Sequence, residues 1–189
     1  MTWNEYKKEA ERTFAYHKYG SIVDQLHCAI GIVTEIEELK YAWKGVQEGS
    51  SPYIEPDTSM KNINAREELG DILWYIANLE RLIETPEYDF NLKGVTYPLE
   101  ILDSSAANLL DIYKKALYYN RIVKYADVTN LIYMIRTAAD SLCYSNKWIT
   151  EDIMDNNINK LRIRFPEKFT DEKANNRNIK EEYKALTKK

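Results

Sequence analysis

Two short acidic motifs follow one another in the first half of the chain. An ExxE motif is formed by Glu35 and Glu38, and an ExxD motif by Glu68 and Asp71. Residues three apart on a helix project to neighbouring positions, so each motif offers a pair of carboxylates on one helix face. Four carboxylates gathered at one point repel one another strongly unless cations lie between them. Oxygen-only ligands select hard cations, so the motifs predict a site for Mg²⁺ or Mn²⁺ with these four residues as ligands.

The surroundings of the second motif favour this hypothesis over a solvated helix face. The helix that carries it has an apolar arc, and Glu68 and Asp71 lie at the edge of that arc rather than opposite it. We therefore expect a neighbouring helix to enclose them partly. Asn78 follows Asp71 by seven residues on the same stripe and could contact a base or sugar, although a polar surface role is an equal alternative. The arc consists of Leu69, Ile72, Leu73, Ile76 and Leu79.

The elements that must position these motifs are helices. Apolar residues recur at helical spacing along most of the chain, and the sequence has only 6 glycines and 5 prolines, which disfavours a turn-rich β fold. We predict an all-α helical bundle in which a hairpin of two helices binds the metal. Residues 1–169 form its domain, and a polar C-terminal helix or tail occupies residues 170–189. The predicted helices cover residues 2–19, 21–45, 64–84, 99–120, 127–145 and 150–165, with a last one after a cap at Thr170.

Two irregular segments interrupt these helices. Residues 46–63 contain GSSP and few periodic apolar positions, which predicts a long loop and a candidate lid or binding loop. Residues 85–98 form the second segment. Ser21 and Thr150 are predicted to cap the helices that they begin.

The two halves of the chain are loosely similar. TEIEELKYAW has the pattern of NLLDIYKKAL, and GDILWYIANL that of TNLIYMIRTA. This similarity is compatible with an internally duplicated helical hairpin. Asn108, Asp111 and Asn130 then stand where the first copy has acidic residues, so one hairpin would bind metal and the other would complete the pocket.

The two acidic helices resemble the MazG-like family of all-α nucleotide pyrophosphohydrolases, which is related to dimeric dUTPases and to phosphoribosyl-ATP pyrophosphohydrolase. The segments TEIEELKYAWKG and NAREELGDILWYIANLERL match the family signature, EExxE followed by ExxD on the next helix. Thr34 replaces the usual first glutamate. A second resemblance lies in NINKLRIRFPEKFTDEKANNRN, which is similar to the C-terminal segment of many members.

The resemblance implies an activity and a set of site residues. The family hydrolyses a nucleoside triphosphate to the monophosphate and pyrophosphate with Mg²⁺, and its members usually complete the pocket as a homodimer. Either Glu35 or Glu38 would serve as the general base, because a glutamate not fully used in coordination can accept the proton of the attacking water. The implied metal ligands are Glu35, Glu38, Glu68 and Asp71, and the implied phosphate-neutralising residues are Lys160, Arg164 and Lys168.

Composition leaves some function classes open and excludes others. Residues 160–189 carry ten Lys or Arg against five Asp or Glu, but the two signs are interleaved, so nucleic-acid binding is less favoured than a solvated helix face. No P-loop or Rossmann glycine pattern is present. The sequence predicts no transmembrane helix and no secretory signal, and it predicts two reduced cysteines and a cytoplasmic protein. A dUTP- or dCTP-specific enzyme and a catalytically inactive nucleotide- or metal-binding regulator remain alternatives.

Overall fold

Every regular element in the described part of the chain is an α-helix, which confirms the predicted all-α class. The computed structural model describes residues 1–16, 21–49, 60–85 and 94–187. No described helix combines the length and the apolar character that a bilayer crossing requires. The helices are α1 (Trp3–Arg12), α2 (Ser21–Gly49), α3 (Met60–Leu82), α4 (Pro98–Tyr119), α5 (Tyr125–Asn146), α6 (Thr150–Arg164), α7 (Asp171–Asn175) and α8 (Ile179–Thr187).

The long helices α2 and α3 form a hairpin at the centre of the bundle. Each buries side chains three or four residues apart, which is the spacing that keeps one face of a helix against its neighbour. α3 also contacts α1, α5, α6 and α8, while α4 packs on α2 and on α5. Neighbouring helices therefore hold the hairpin in position on several sides. Its fully buried apolar residues include Cys28, Ile32, Ile36 and Leu39 of α2 and Leu69, Ile72, Ile76 and Leu79 of α3.

The hairpin helices are longer than the sequence predicted. α2 continues to Gly49 and α3 begins at Met60, so both ends of the predicted loop 46–63 are helical. The predicted end at Gly45 was wrong because a glycine inside a helix costs only about 1 kcal/mol, and no proline precedes Pro52. The remainder of the predicted loop, together with most of the segment 85–98, lies outside the described residues.

The first helix is shorter than predicted, because it ends at Arg12 rather than near residue 19. The backbone N–H of Phe169 donates to the carbonyl oxygen of Arg12, and the side chain of Phe14 is buried in the core instead of continuing the helix. Arg12 also donates from Nη1 to the carbonyl oxygens of Phe165 and Glu167, both at 2.7 Å. The end of α1 thereby anchors the chain that follows α6. The part of the predicted helix after residue 16 lies outside the described residues.

The C-terminal region forms two helices rather than the single polar one predicted. Thr170 caps α7 as expected, because its side chain accepts from the backbone N–H of Lys173. α8 packs against α6 and buries Ala185 and Leu186. Thr150 does not cap α6. It is the first residue of that helix, and its hydroxyl donates to Asp140 at 2.9 Å.

The second hairpin, α4 with α5, holds no acidic cluster at the positions equivalent to the motifs. Asp111 forms ion pairs with Lys114 and Lys115 of its own helix, and Asn108 and Asn130 are exposed. The duplication itself stays a prediction. The structure shows that α4 packs on α2, so the second hairpin supports the acidic hairpin through this contact.

Candidate metal centre

Three of the four predicted ligands come together between α2 and α3. Each of Glu35, Glu68 and Asp71 offers a carboxylate oxygen, and these oxygens lie within 4.8 Å of one another. All three side chains are half-buried. The hairpin brings them together because each motif occupies the edge of a buried face, and the two edges meet. The spacing of the acidic motifs predicts a group of four carboxylates, and these are three of the four.

Burial and crowding raise the pKa of the two glutamates. Burial is the largest cause for Glu68, followed by the charges of Asp71 and Glu67, and together they raise its pKa to about 9. Burial, then Asp71 and Glu38, raise the pKa of Glu35 to about 7. Both values lie far above the ordinary 4.5 of a glutamate. The cluster therefore holds protons near neutral pH unless a cation takes their place.

Asp71 is held from behind by two residues of α6. Nδ2 of Asn157 donates to Oδ1 of Asp71 at 2.6 Å, and the ammonium of Lys160 donates to the same oxygen at 2.7 Å. The hydroxyl of Tyr6 lies 2.8 Å from Oδ1 of Asn157 and 3.1 Å from the carbonyl oxygen of Gly70. The shorter contact, with the amide oxygen of Asn157, holds that amide in place. Helices α1, α6 and α3 are linked through this chain of contacts.

The donor set fits a hard divalent cation. All three candidate ligands are carboxylates, which suit Mg²⁺ or Mn²⁺. Oxygens bound to one Mg²⁺ lie about 2.1 Å from the ion, so opposite ligands are about 4.2 Å apart, and a group within 4.8 Å needs only a small closing movement. Asp71 already has second partners in Asn157 and Lys160, which is the support that metal-ligating carboxylates generally require. Glu35, Glu68 and Asp71 would hold the ion.

The fourth predicted ligand, Glu38, lies in the same cavity but farther out. It lines the cavity one turn from Glu35 and is exposed, and its charge contributes to the raised pKa of both Glu35 and Glu68. Among the described residues, it does not belong to the group whose oxygens approach within 4.8 Å. Glu37, between the two, points away and forms an ion pair with Lys40 at 2.7 Å.

The cavity beside the cluster has a volume of about 420 Å³ and three kinds of wall. Glu35, Glu38, Glu67, Glu68 and Asp71 make the acidic wall. Two arginines, Arg164 and Arg177, line it from the C-terminal region. The remaining wall is largely aromatic and includes His27, Trp74, Tyr75, Phe165 and Phe169. A ligand with a charged part and a flat apolar part matches this division.

The ring of Tyr75 packs closely against α2 only because residue 31 is a glycine. A Cβ atom at Gly31 would stand 2.2 Å from Cζ of the Tyr75 ring. The ring also meets Trp74 and His27 edge to face, with centroids 4.8 and 5.7 Å away. Gly31 therefore sets how closely α2 and α3 approach beside the acidic cluster.

Of the predicted substrate-binding residues, Asn78 and Lys168 do not lie at the cavity. Asn78 is fully buried, and its Nδ2 donates to the carbonyl oxygen of Trp74 at 2.9 Å. Seven residues on a helix advance about 10 Å along its axis, so sharing a stripe with Asp71 did not place Asn78 at the same level. Lys168 is exposed and borders a different cavity beside Tyr16.

The other two predicted basic residues are close to the acidic cluster. Lys160 is almost fully buried and engaged with Asp71 and Glu67, so it neutralises the protein's own carboxylates. Burial alone would lower its pKa, but the charges of Asp71 and Glu67 outweigh burial and raise it. Arg164 lines the cavity and forms an ion pair with Glu182 at 2.6 Å.

Sequence reasoning missed Tyr6, Asn157 and Arg177, and it predicted Lys160 as a phosphate-neutralising residue rather than as a partner of Asp71. Asn157 and Lys160 are three apart on α6, which marks a shared face, but nothing in the sequence pairs that face with Asp71. Tyr6 and Arg177 are more than 60 residues from Asp71 in the chain. Tyr6 stands in no distinctive local pattern, and Arg177 lies in the C-terminal segment that resembles the family, where the resemblance gave it no role. Only the packing of α1, α6 and α8 around α3 reveals them.

In comparisons with known proteins, the chain matches no protein-family model, no curated protein and no solved structure. The interpretation of the site therefore depends on its own residues and geometry, together with the motif resemblance in the sequence.

Proposed function

We propose that the protein is a Mg²⁺-dependent nucleoside triphosphate pyrophosphohydrolase of the MazG-like type, which releases the monophosphate and pyrophosphate. One observation carries the proposal. Carboxylate oxygens of Glu35, Glu68 and Asp71 lie within 4.8 Å of one another in a cavity whose other walls are cationic and aromatic. A nucleotide has the matching parts, because its phosphates need cations and its base offers a flat face.

The residues of the chain would divide the work among them. When bound, a divalent cation supplies positive charge against the phosphate oxygens and acidifies the attacking water. Glu38 is exposed to the cavity and outside the tight group, so it is the better placed of the two candidate bases to accept the proton, with Glu35 more engaged as a ligand. Asn157 and Lys160 keep Asp71 fixed while this occurs. The aromatic wall can stack on the base.

The assay that tests the proposal measures pyrophosphate release from a panel of NTPs and dNTPs with and without Mg²⁺. Glu68→Gln removes a ligand and should lower the rate by roughly two orders of magnitude or more. Glu37→Gln is the matched control, since Glu37 is in the first motif but pairs with Lys40 outside the cavity. Equal rates for the two variants would contradict the assignment. A preference for dUTP or dCTP would identify the specialised form of the enzyme.

The same experiment separates the rival functions. A regulator without turnover would bind Mg²⁺ through the cluster, with Glu68→Gln abolishing binding, yet release no pyrophosphate from any nucleotide. A nucleic-acid-binding protein would show a salt-sensitive shift of DNA or RNA that survives Glu68→Gln. We expect neither result, because the acidic and basic residues of 160–189 are interleaved rather than gathered into a basic patch.

The proposal includes a homodimer acting on the cytoplasmic nucleotide pool. Large apolar side chains are exposed where α4 turns into α5, including Tyr118, Tyr119 and Ile122, and an interface would cover such residues. Light scattering during size-exclusion chromatography measures the molar mass directly. A mass near 22.2 kDa would indicate a monomer and contradict this part of the proposal.

A further inference from the structure

Two arginines from different elements share one buried carboxylate at the edge of the cavity. Arg164 of α6 contacts Glu182 through Nε at 3.1 Å and through Nη2 at 2.6 Å. Arg177, between α7 and α8, contacts Oε2 of the same residue through Nε at 3.3 Å and Nη2 at 2.8 Å. Glu182 is 3 % exposed, whereas Arg177 is 44 % exposed. One carboxylate thus fixes two guanidiniums in place.

This arrangement has more positive charge than a structural ion pair needs. Burial pushes the pKa of Glu182 upward, but hydrogen bonds from Arg164 and Arg177 outweigh it and hold the pKa below its usual value. Glu182 is therefore ionised, and the group of three carries one net positive charge. A single arginine would be enough to satisfy the buried carboxylate and to connect α8 with α6. The second guanidinium requires another explanation.

The unused donors point to an anion. Glu182 engages Nε and Nη2 of both arginines, so it leaves the Nη1 group of each guanidinium for other partners. Both arginines line the cavity that contains the acidic cluster. Arg177 is close enough to the acidic wall for the charges of Glu67 and Asp71 to raise its pKa, although burial, the largest single effect, opposes them. Planar guanidiniums bind phosphate oxygens with paired hydrogen bonds, as lysine ammonium groups do not.

We propose that Arg164 and Arg177 form an anion subsite for those phosphates of the nucleotide that lie away from the acidic cluster, and that Glu182 is the positioning residue of this subsite. The proposal rests on the proposed function for the identity of the ligand. Phosphate oxygens that no metal ion contacts would face the carboxylates of Glu35 and Glu38 with like charge. The paired arginines supply the opposite charge in the wall of the same cavity.

The first test measures binding of inorganic tripolyphosphate to the full chain in the presence of Mg²⁺ by titration calorimetry. Arg177→Gln should weaken binding about tenfold, which is the usual effect of losing a charge-assisted hydrogen-bond pair. Arg162→Gln is the matched control, because Arg162 is on α6 but pairs with Glu9 outside the cavity. The control should bind within about twofold of the unaltered protein. Equal affinities for the two variants would overturn the subsite.

The second test asks whether Arg177 acts through Glu182. In the Glu182→Gln background, Arg177→Gln should cost less than about threefold in tripolyphosphate affinity, because the guanidinium is no longer held in place. If Arg177→Gln weakens tripolyphosphate binding as much in this background as in the unaltered protein, the positioning role of Glu182 is overturned. Glu181→Gln, next in the chain and paired with Lys184 at the surface, is the control. If Glu182→Gln does not fold, as judged by circular dichroism, Arg177→Gln alone still decides the subsite.

Steady-state kinetics distinguishes this inference from the proposed function. With a nucleoside triphosphate as substrate, Arg177→Gln should raise KM about tenfold and change kcat less than about threefold, since it removes binding rather than chemistry. Tripolyphosphate binding that depends on Arg177 without any hydrolysis would support the subsite and refute the hydrolase. If the protein hydrolyses the nucleotide and Arg177→Gln changes neither KM nor kcat, the hydrolase is supported and the subsite is refuted.

Discussion

At the scale of single residues, burial and the charges of neighbouring carboxylates together determine the pKa values of the acidic cluster. Glu35 and Glu68 are carried into a half-buried groove by helices whose other faces form the core. Burial and the charge of Asp71 raise the pKa of both, whereas the hydrogen bond with Glu68 lowers the pKa of Glu35. The types and spacing of these residues could be read from the sequence. The support of Asp71 by Asn157 could not, because nothing local connects position 157 with position 71.

The raised pKa values give the metal-free protein a defined pH dependence. An unfolded glutamate ionises near 4.5, whereas folded Glu35 and Glu68 hold their protons up to about 7 and 9. Between about pH 4.5 and about pH 9 the folded state binds more protons than the unfolded state. The free energy of unfolding therefore falls as the pH rises through this range. Divalent cations displace the same protons, and their affinity should therefore increase with pH.

Thermal unfolding at about pH 5, 7 and 9, with chelator and with Mg²⁺, measures both trends. The melting temperature of the metal-free protein should drop across this range, and the gain from Mg²⁺ should grow. Glu68→Gln removes the group with the higher pKa and should flatten the slope. A metal-free protein that becomes more stable between pH 5 and 9 would rule out this description of the cluster.

At the scale of helices, packing set the boundaries that local sequence could not. Apolar spacing was enough to identify α2 through α6, because each has a long buried stripe. The predicted end of α1 was wrong because the carbonyl oxygen of Arg12 accepts from the backbone N–H of Phe169, 157 residues later in the chain, instead of continuing the helix. Asn78 was misplaced for a related reason. A shared helical stripe predicts on which side of the helix a side chain lies, but not how far along the axis it stands.

The approach of α2 to α3 depends on Gly31, and an alanine there tests it. The new Cβ would displace the Tyr75 ring, which costs about 1–3 kcal/mol, whereas replacing a helical glycine returns about 1 kcal/mol. We expect Gly31→Ala to lose about 1 kcal/mol of stability in urea unfolding and to alter the fluorescence of the adjacent Trp74. Gly94→Ala, where nothing lies within 4 Å, serves as the control. A stabilised Gly31→Ala protein with unchanged fluorescence would show that the helices are not in close contact here.

At the scale of the whole molecule, the C-terminal region is built into the bundle. The sequence predicted a polar tail after residue 169, because its charges are frequent and its apolar residues few. Two of those few apolar residues, Ala185 and Leu186, are buried against the bundle. The charged residue Glu182 also contacts Arg164 of α6. The prediction of separate regions at 1–169 and 170–189 can be tested through these contacts.

Leu186 offers the direct measurement of that integration. It lies beside Ile63 and Ile153, around a cavity of only about 10 Å³, and is 7 % exposed. Leu186→Ala should destabilise the protein by about 2 kcal/mol in urea unfolding, near the lower end for buried leucines. Ile179→Ala, on the same helix but 68 % exposed, should have little effect. Equal, small effects would mean that α8 is a detachable tail.

The contact between Lys160 and Asp71 has a consequence for how the protein is handled. A buried ammonium remains beside the cluster at all times, so withdrawing a divalent ion does not leave bare anions facing one another. Unlike small domains that collapse when stripped of zinc, this bundle should survive dialysis against EDTA with its helices intact. Returning Mg²⁺ would then restore the loaded form without refolding, which lets one batch of protein serve for every metal to be compared.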